Sequence, residues 1–137
     1  MRPPEEVKRE LVRQWLEKAD QDLKAAEVLL SGDHPLLYPS CFHSQQAAEK
    51  YIKAYLTWHQ VEFPKTHDLS ELLELAGRVN KDLAICLEDV TLLNPYGVEV
   101  RYPGDMLQPT LEEAKEALDM MKLVRERIIP LLQAEDE

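Results

Sequence analysis

The stretch "CFHSQQAAEKYIKAYL", residues 41–56, decides how the chain is read. Cys41, Ala48, Ile52 and Tyr55 recur along one side of a helix, and Ala47, Tyr51, Ala54 and Trp58 line an adjoining strip. That pattern belongs to a core helix. Yet His43, Gln46, Lys50, Lys53 and Thr57 follow one another at intervals of three and four, so they form a continuous polar stripe. Phe42, Gln45, Glu49, Ile52 and Leu56 make a mixed strip beside it. Amides and an imidazole are costly to bury unpaired. The stripe is therefore a solvated edge, an anion site or a seat for a partner's backbone.

The rest of the chain is helical on either side of this segment. From about Glu5 to Leu30, Val12, Trp15, Leu16, Ala19, Leu23, Ala26 and Leu30 keep a helix period, and Gly32 suits a left-handed cap after it. The central helix begins between Pro35 and Ser40 and runs to about His59. In "THDLSELLELAGRV", Asp68 and Glu71 have the spacing of a helix cap, with Leu69, Leu72, Leu73, Ala76 and Val79 facing inward. A fourth helix starts after Asn80, buries Leu83, Leu87, Val90 and Leu93, and weakens in "NPYGVEVRYPGD". Pro109-Thr110 with Glu113 opens a last helix, which Pro130 disturbs near its end. The expected fold is one all-α domain, residues 1–137, an antiparallel bundle of four to five helices.

Composition removes several function classes. The four glycines are scattered, so no dinucleotide fingerprint or phosphate loop can form. Cys41 and Cys86 match no CxxC pattern and read as small buried hydrophobes. No apolar run approaches a membrane span, and the first residues lack a signal-peptide core, so a cytoplasmic protein without membrane contact is expected. The net charge of −10 disfavours non-specific nucleic-acid binding. The charge is uneven, however: residues 68–137 hold 16 acids against 7 Lys/Arg, whereas residues 36–67 hold 3 lysines against 2 glutamates.

Few residues arrange themselves for chemistry. His34, His43, His59 and His67 make neither HExxH nor Glu-x-x-His, so no metal site is read and none is assigned. The carboxylate pairs fall on polar faces or in first helical turns, and no residue is assigned as catalytic. Two places stand out as nucleotide- or phosphate-binding candidates. One is the stripe, through His43, Gln46 and Lys50. The other is the turn-rich loop, where Arg101 lies between Tyr96 and Tyr102; a guanidinium fork fits phosphate and a tyrosine face stacks on a base.

"CFHSQQAAEKYIKAYL", then "THDLSELL", then "RYPGD", preceded by "ADQDLKAAEVLL", closely resembles the small prokaryotic HEPN domains, over roughly Leu11 to Leu132. The resemblance implies a HEPN-like helical bundle that forms a homodimer through its central helices, with a polar cleft at the two-fold axis. It implies a separate minimal nucleotidyltransferase as partner, in a two-component or toxin–antitoxin-like module, and a relationship to the domain that closes the chaperone sacsin. In that setting His43, Gln46 and Lys50 would line a dimer cleft or a nucleotide site and be buried only on assembly. Many HEPN proteins are ribonucleases with an arginine, then four to six intervening residues, then a histidine. Arg101 matches the arginine, but Met106, Leu107 and Gln108 stand where the histidine belongs. The expectation is a non-catalytic binding protein. The alternatives are a pure dimerisation or protein-interaction module without ligand, and a ribonuclease with a rearranged site.

Overall fold

The computed structural model describes residues 4–97, 102–105 and 108–134. Five α-helices are found among the described residues: α1 (Pro4–Leu30), α2 (Leu37–Trp58), α3 (Leu69–Val79), α4 (Lys81–Cys86) and α5 (Leu111–Ala134). Two 3₁₀ segments, Glu88–Gly97 and Pro103–Asp105, lie between α4 and α5. No strand occurs among the described residues.

The core is organised around α2, most of whose 22 residues are buried. Helix α1 presents Val12, Ala19 and Ala26 to it, three buried residues spaced by seven. This is the narrow seam of two helices that wind along one another. Ala47, Ala48 and Ala54 are likewise fully buried on α2, and Ala114 and Ala117 on α5, so the backbones approach closely. The pairing is antiparallel. Ser40 Oγ donates to the Ala26 carbonyl at 2.8 Å, Tyr51 meets Asp20, the Lys53 ammonium lies 5.5 Å from the Trp15 ring, and Lys8 lies 4.3 Å from the Trp58 ring. Gly32, at φ 85°, turns the chain between the two helices.

Helix α5 also opposes α1, through Lys122–Glu27 and Arg125–Asp20. It runs alongside α2 in the same direction: Glu113 lies near Cys41, and Leu132 shares a groove with Trp58. The intervening chain, through α3, α4 and the long 3₁₀ segment, makes that return possible.

Local signals account for most boundaries. Asp68 caps α3 by accepting from the Ser70 N–H at 2.9 Å, and Asn80 caps α4 by accepting from the Leu83 N–H at 3.1 Å. At α5 the Thr110 and Glu113 side chains each accept from the other's N–H, at 3.1 and 3.0 Å.

Three expectations are corrected. The fourth helix is α-helical only to Cys86; Leu83, Leu87, Val90 and Leu93 are all buried, but their spacing shortens from four to three where the backbone tightens to 3₁₀. The disturbance expected at Pro130 does not interrupt α5, which continues through it to Ala134 with Ile128 and Leu132 buried on either side. Cys41 is buried, but Cys86 is exposed at the end of α4.

The alanine seam yields a direct test. Ala19→Leu forces extra methyl groups between α1 and α2 and is expected to cost about 1–3 kcal/mol. Urea unfolding followed by circular dichroism measures it, and an unchanged midpoint would contradict close packing there.

Candidate functional site

His43, Gln46, Lys50 and Lys53 of the α2 stripe find partners within one chain, in two clusters. The first faces α1. The Lys50 ammonium and His43 Nδ1 both meet Asp22, the histidine at 2.9 Å. All three side chains are partly shielded, at 20%, 32% and 13% exposure respectively. Next to Lys50 along α2, the buried Tyr51 hydroxyl donates to Asp20, which also accepts from Arg125 Nε at 3.2 Å. Burial first, and then the Asp20 carboxylate, push the Tyr51 hydroxyl well above the usual tyrosine range. The same carboxylate holds Arg125 more firmly protonated. Asp20 and Asp22 thus tie α1 to both α2 and α5.

The second cluster faces the α2–α3 connection. Glu49, at 3% side-chain exposure, accepts from Lys53 Nζ at 2.9 Å on one oxygen. Its other oxygen takes His67 Nδ1 at 2.9 Å and Gln45 Nε2 at 3.3 Å. Because a carboxylate only accepts, His67 carries its proton on Nδ1. Gln45 Nε2 also donates to the His67 carbonyl at 3.0 Å, so this residue is held by side chain and backbone together. Gln46 Nε2 donates to Gln45 Oε1 at 2.6 Å and completes the network. Lys53 is enclosed too, its ammonium 5.5 Å from the Trp15 ring and 5.8 Å from the Phe63 ring.

The long 3₁₀ segment rests on this cluster. Asn94 accepts from the Leu69 N–H at 2.8 Å and donates to Asp68 at 2.9 Å. Gly97 then passes so close to Gln45 that an added Cβ would fall 2.8 Å from its Cδ. Tyr96 lies edge-on to Tyr38, with centroids 6.4 Å apart, and its hydroxyl hydrogen-bonds the Cys41 thiol. Burial raises the Cys41 thiol to about 11, so it is an unreactive core group.

The structure therefore brings His43 and Lys50 together on Asp22, whereas the other candidates among the described residues make contacts of their own or stand exposed. Gln46 turns to Gln45, Tyr96 turns to Cys41, and Tyr102 is 78% exposed. Arg101 lies outside the described residues. Gln46 is buried already in the single chain, at 8% exposure, which corrects the expectation that assembly buries it. Its amide is already engaged there, donating to Gln45 Oε1. Sequence reading missed Asp22, Asp20 and His67. Asp22 was detectable, since it stands three residues after Ala19 and four before Ala26, inside the buried face of α1. His67 sits in a loop, where no periodicity marks its direction. Among the described residues no group of three or more His, Cys, Asp and Glu could hold a metal ion, and no helix is long and apolar enough to cross a membrane.

Glu49→Gln leaves the Lys53 ammonium buried without its counter-charge and is expected to cost about 3–5 kcal/mol. Glu49→Gln with Lys53→Met is expected to recover most of that loss, because the uncompensated charge is gone. Chemical denaturation of the two variants measures the difference, and equal losses would show that the ion pair is not the source.

Comparison with known proteins agrees with this architecture. The HEPN domain family profile matches residues 12–131. The chain is 30% identical over 135 residues to the protein of Methanocaldococcus jannaschii named "Putative toxin MJ1304", a match spanning 87% of this chain and 86% of that one. The solved structure of ST0689, described as an archaeal HEPN homologue, superposes with a TM-score of 0.63 at 25% identity, covering 92% of this chain and 98% of that one. With the all-helical architecture and these matches in agreement, the chain belongs to the HEPN domain family.

Proposed function

We propose that this chain is the HEPN half of a toxin–antitoxin-like, two-component module. It works in the cytoplasm as a homodimer with a separate minimal nucleotidyltransferase, and it acts by binding its partner rather than by cleaving RNA. The observation that carries this reading is the neutralisation of the α2 stripe inside the protomer: Lys50 ends on Asp22 and Lys53 on Glu49. A site that stabilises phosphate keeps a cation aimed at the ligand. Both of these cations instead hold helices in place. Arg101 also has no histidine at 106, 107 or 108 to move protons. The name of the archaean relative supports the toxin-like half of the proposal.

A second reading is favoured by the meeting of His43 and Lys50 on one carboxylate at a half-open rim. There a nucleotide phosphate takes the place of Asp22, with Arg101 and the tyrosines supplying further contacts. The engagement of Gln46 and Tyr96 elsewhere in the protomer weighs against it.

Light scattering on the purified chain, which has a mass of 15.9 kDa, is expected to give twice that value, with co-elution of a minimal nucleotidyltransferase from the same organism when the two are mixed. A monomer indifferent to that protein would overturn the proposal. A panel of common nucleotides is expected to leave the melting temperature unchanged. A ligand at 100 times its Kd adds about 2.7 kcal/mol, roughly 5–10 °C for a domain of this size. Such a rise, lost in Arg101→Ala, would establish the nucleotide-binding reading instead.

A further inference from the structure

Helices α1 and α5 lie antiparallel beside α2, and the seam between them is uneven. Lys122–Glu27 and Arg125–Asp20 close it along one half. Along the other half it opens into a hollow of about 250 Å³. Val12 and Leu16 of α1, Trp58 at the end of α2, and Ile129 and Leu132 of α5 give this hollow an apolar lining. Val12, Trp58 and Leu132 are core residues, at most 7% exposed, so the hollow reaches down to the core. One of its walls is held in place from behind. The Lys8 ammonium lies 4.3 Å and the Arg9 guanidinium 5.3 Å from the centroid of the Trp58 ring, and Glu5 pairs with both cations, at 3.2 and 3.4 Å.

The polar part of the lining is Arg9, Arg13 and Gln133, and no carboxylate lines the hollow among the described residues. The two arginines stand one turn apart on α1, a cationic edge in a chain of net charge −10. Arg9 is committed to Glu5 and to the Trp58 ring, whereas Arg13 makes no hydrogen bond or ion pair among the described residues. An apolar recess with an uncommitted guanidinium at its edge takes up an apolar body and orients it by its anionic end. Its volume lies below the roughly 300–1,000 Å³ of sites for drug-sized ligands, which suits a single short chain.

We propose that this hollow is a binding site for a small amphipathic carboxylate, an aliphatic chain of medium length with one anionic head. The chain lies on Val12, Ile129 and Leu132 against the Trp58 ring, and the carboxylate accepts from the Arg13 fork. The site shares no residue with the polar stripe of α2, and it does not depend on the two-component reading.

The test uses the anionic dye anilinonaphthalene sulfonate, whose fluorescence rises in apolar surroundings, with the full chain. Saturable binding is expected, with displacement by hexanoate, octanoate and decanoate that tightens about 3–4-fold for each methylene until the hollow is full. Decylamine, the same chain with the opposite charge, is expected to displace the dye at least about 10-fold less well than decanoate. Arg13→Glu and Ile129→Trp are each expected to weaken octanoate at least about 10-fold, the first at the head and the second by filling the hollow. Arg13→Lys retains most of the binding, and Arg127→Glu, exposed on α5 outside the hollow, changes it less than about 2-fold. Circular dichroism checks that each variant is folded, and Leu16→Trp fills the same hollow from α1 if Ile129→Trp is not. Equal losses in Arg13→Glu and Arg127→Glu would mean attraction to net charge only and would overturn the site. Undiminished binding in the tryptophan variants, or decylamine equal to decanoate, would overturn it as well. Two results would name a different occupant and so reject the ligand: a chain cut after Ala134 that binds octanoate at least about 10-fold more tightly, which assigns the hollow to the acidic residues 135–137, and a homodimer that falls apart in Arg13→Glu, which assigns it to a second copy.

Discussion

A carboxylate taken out of water needs compensating charge and hydrogen bonds, and in this protein Glu49 makes that demand. Its oxygens are filled by Lys53, His67 and Gln45. Each partner then fixes something further away. Lys53 draws Trp15 of α1 and Phe63 of the α2–α3 connection into walls around its ammonium. His67 anchors the chain just before α3, and Gln45 forms the surface against which Gly97 rests. One buried group thereby sets the positions of α1, the α2–α3 connection and the long 3₁₀ segment. Ion pairs of this kind add little net stability against apolar residues of the same volume. Their contribution here is to specify which arrangement forms.

That role complements the way the helices pack. Val12, Ala19 and Ala26 on α1 meet a face of α2 rich in alanine, and small side chains on both sides permit close approach without enforcing one alignment. Polar contacts at fixed points supply the register. Ser40 to Ala26, Lys50 and His43 to Asp22, and Tyr51 to Asp20 mark the antiparallel pair along its length. Shifting α1 by one turn would break all of them together. The hydrogen-bonding groups in the middle of a core helix are therefore alignment marks as well as candidate ligand contacts.

The fold was legible because its signals are local. Periodicity placed α1 and α2, side-chain caps placed the starts of α3, α4 and α5, and the turn-rich stretch marked the end of the fourth helical segment. The change from a spacing of four at Leu83 and Leu87 to three at Val90 and Leu93 even carried the switch to 3₁₀, although a single helical period passes over it. Pro130 was misjudged because a local rule omits the tertiary anchors on either side. The site was less legible. Periodicity shows which side chains share a face, but not whether a lysine on that face ends on a ligand or on an aspartate of another helix. Lys50 and Asp22 are 28 residues apart, and only the packing of α1 on α2 joins them.

The parallel course of α2 and α5 has a consequence for synthesis on the ribosome. The α1–α2 hairpin is local in sequence and can assemble as soon as it emerges, whereas the α2 face that receives Met121, Val124 and Ile128 has no cover until the last helix has left the exit tunnel. For that interval the nascent chain carries an open apolar groove on an already folded hairpin, a surface suited to chaperone capture. Deleting α5 would make that transient state permanent.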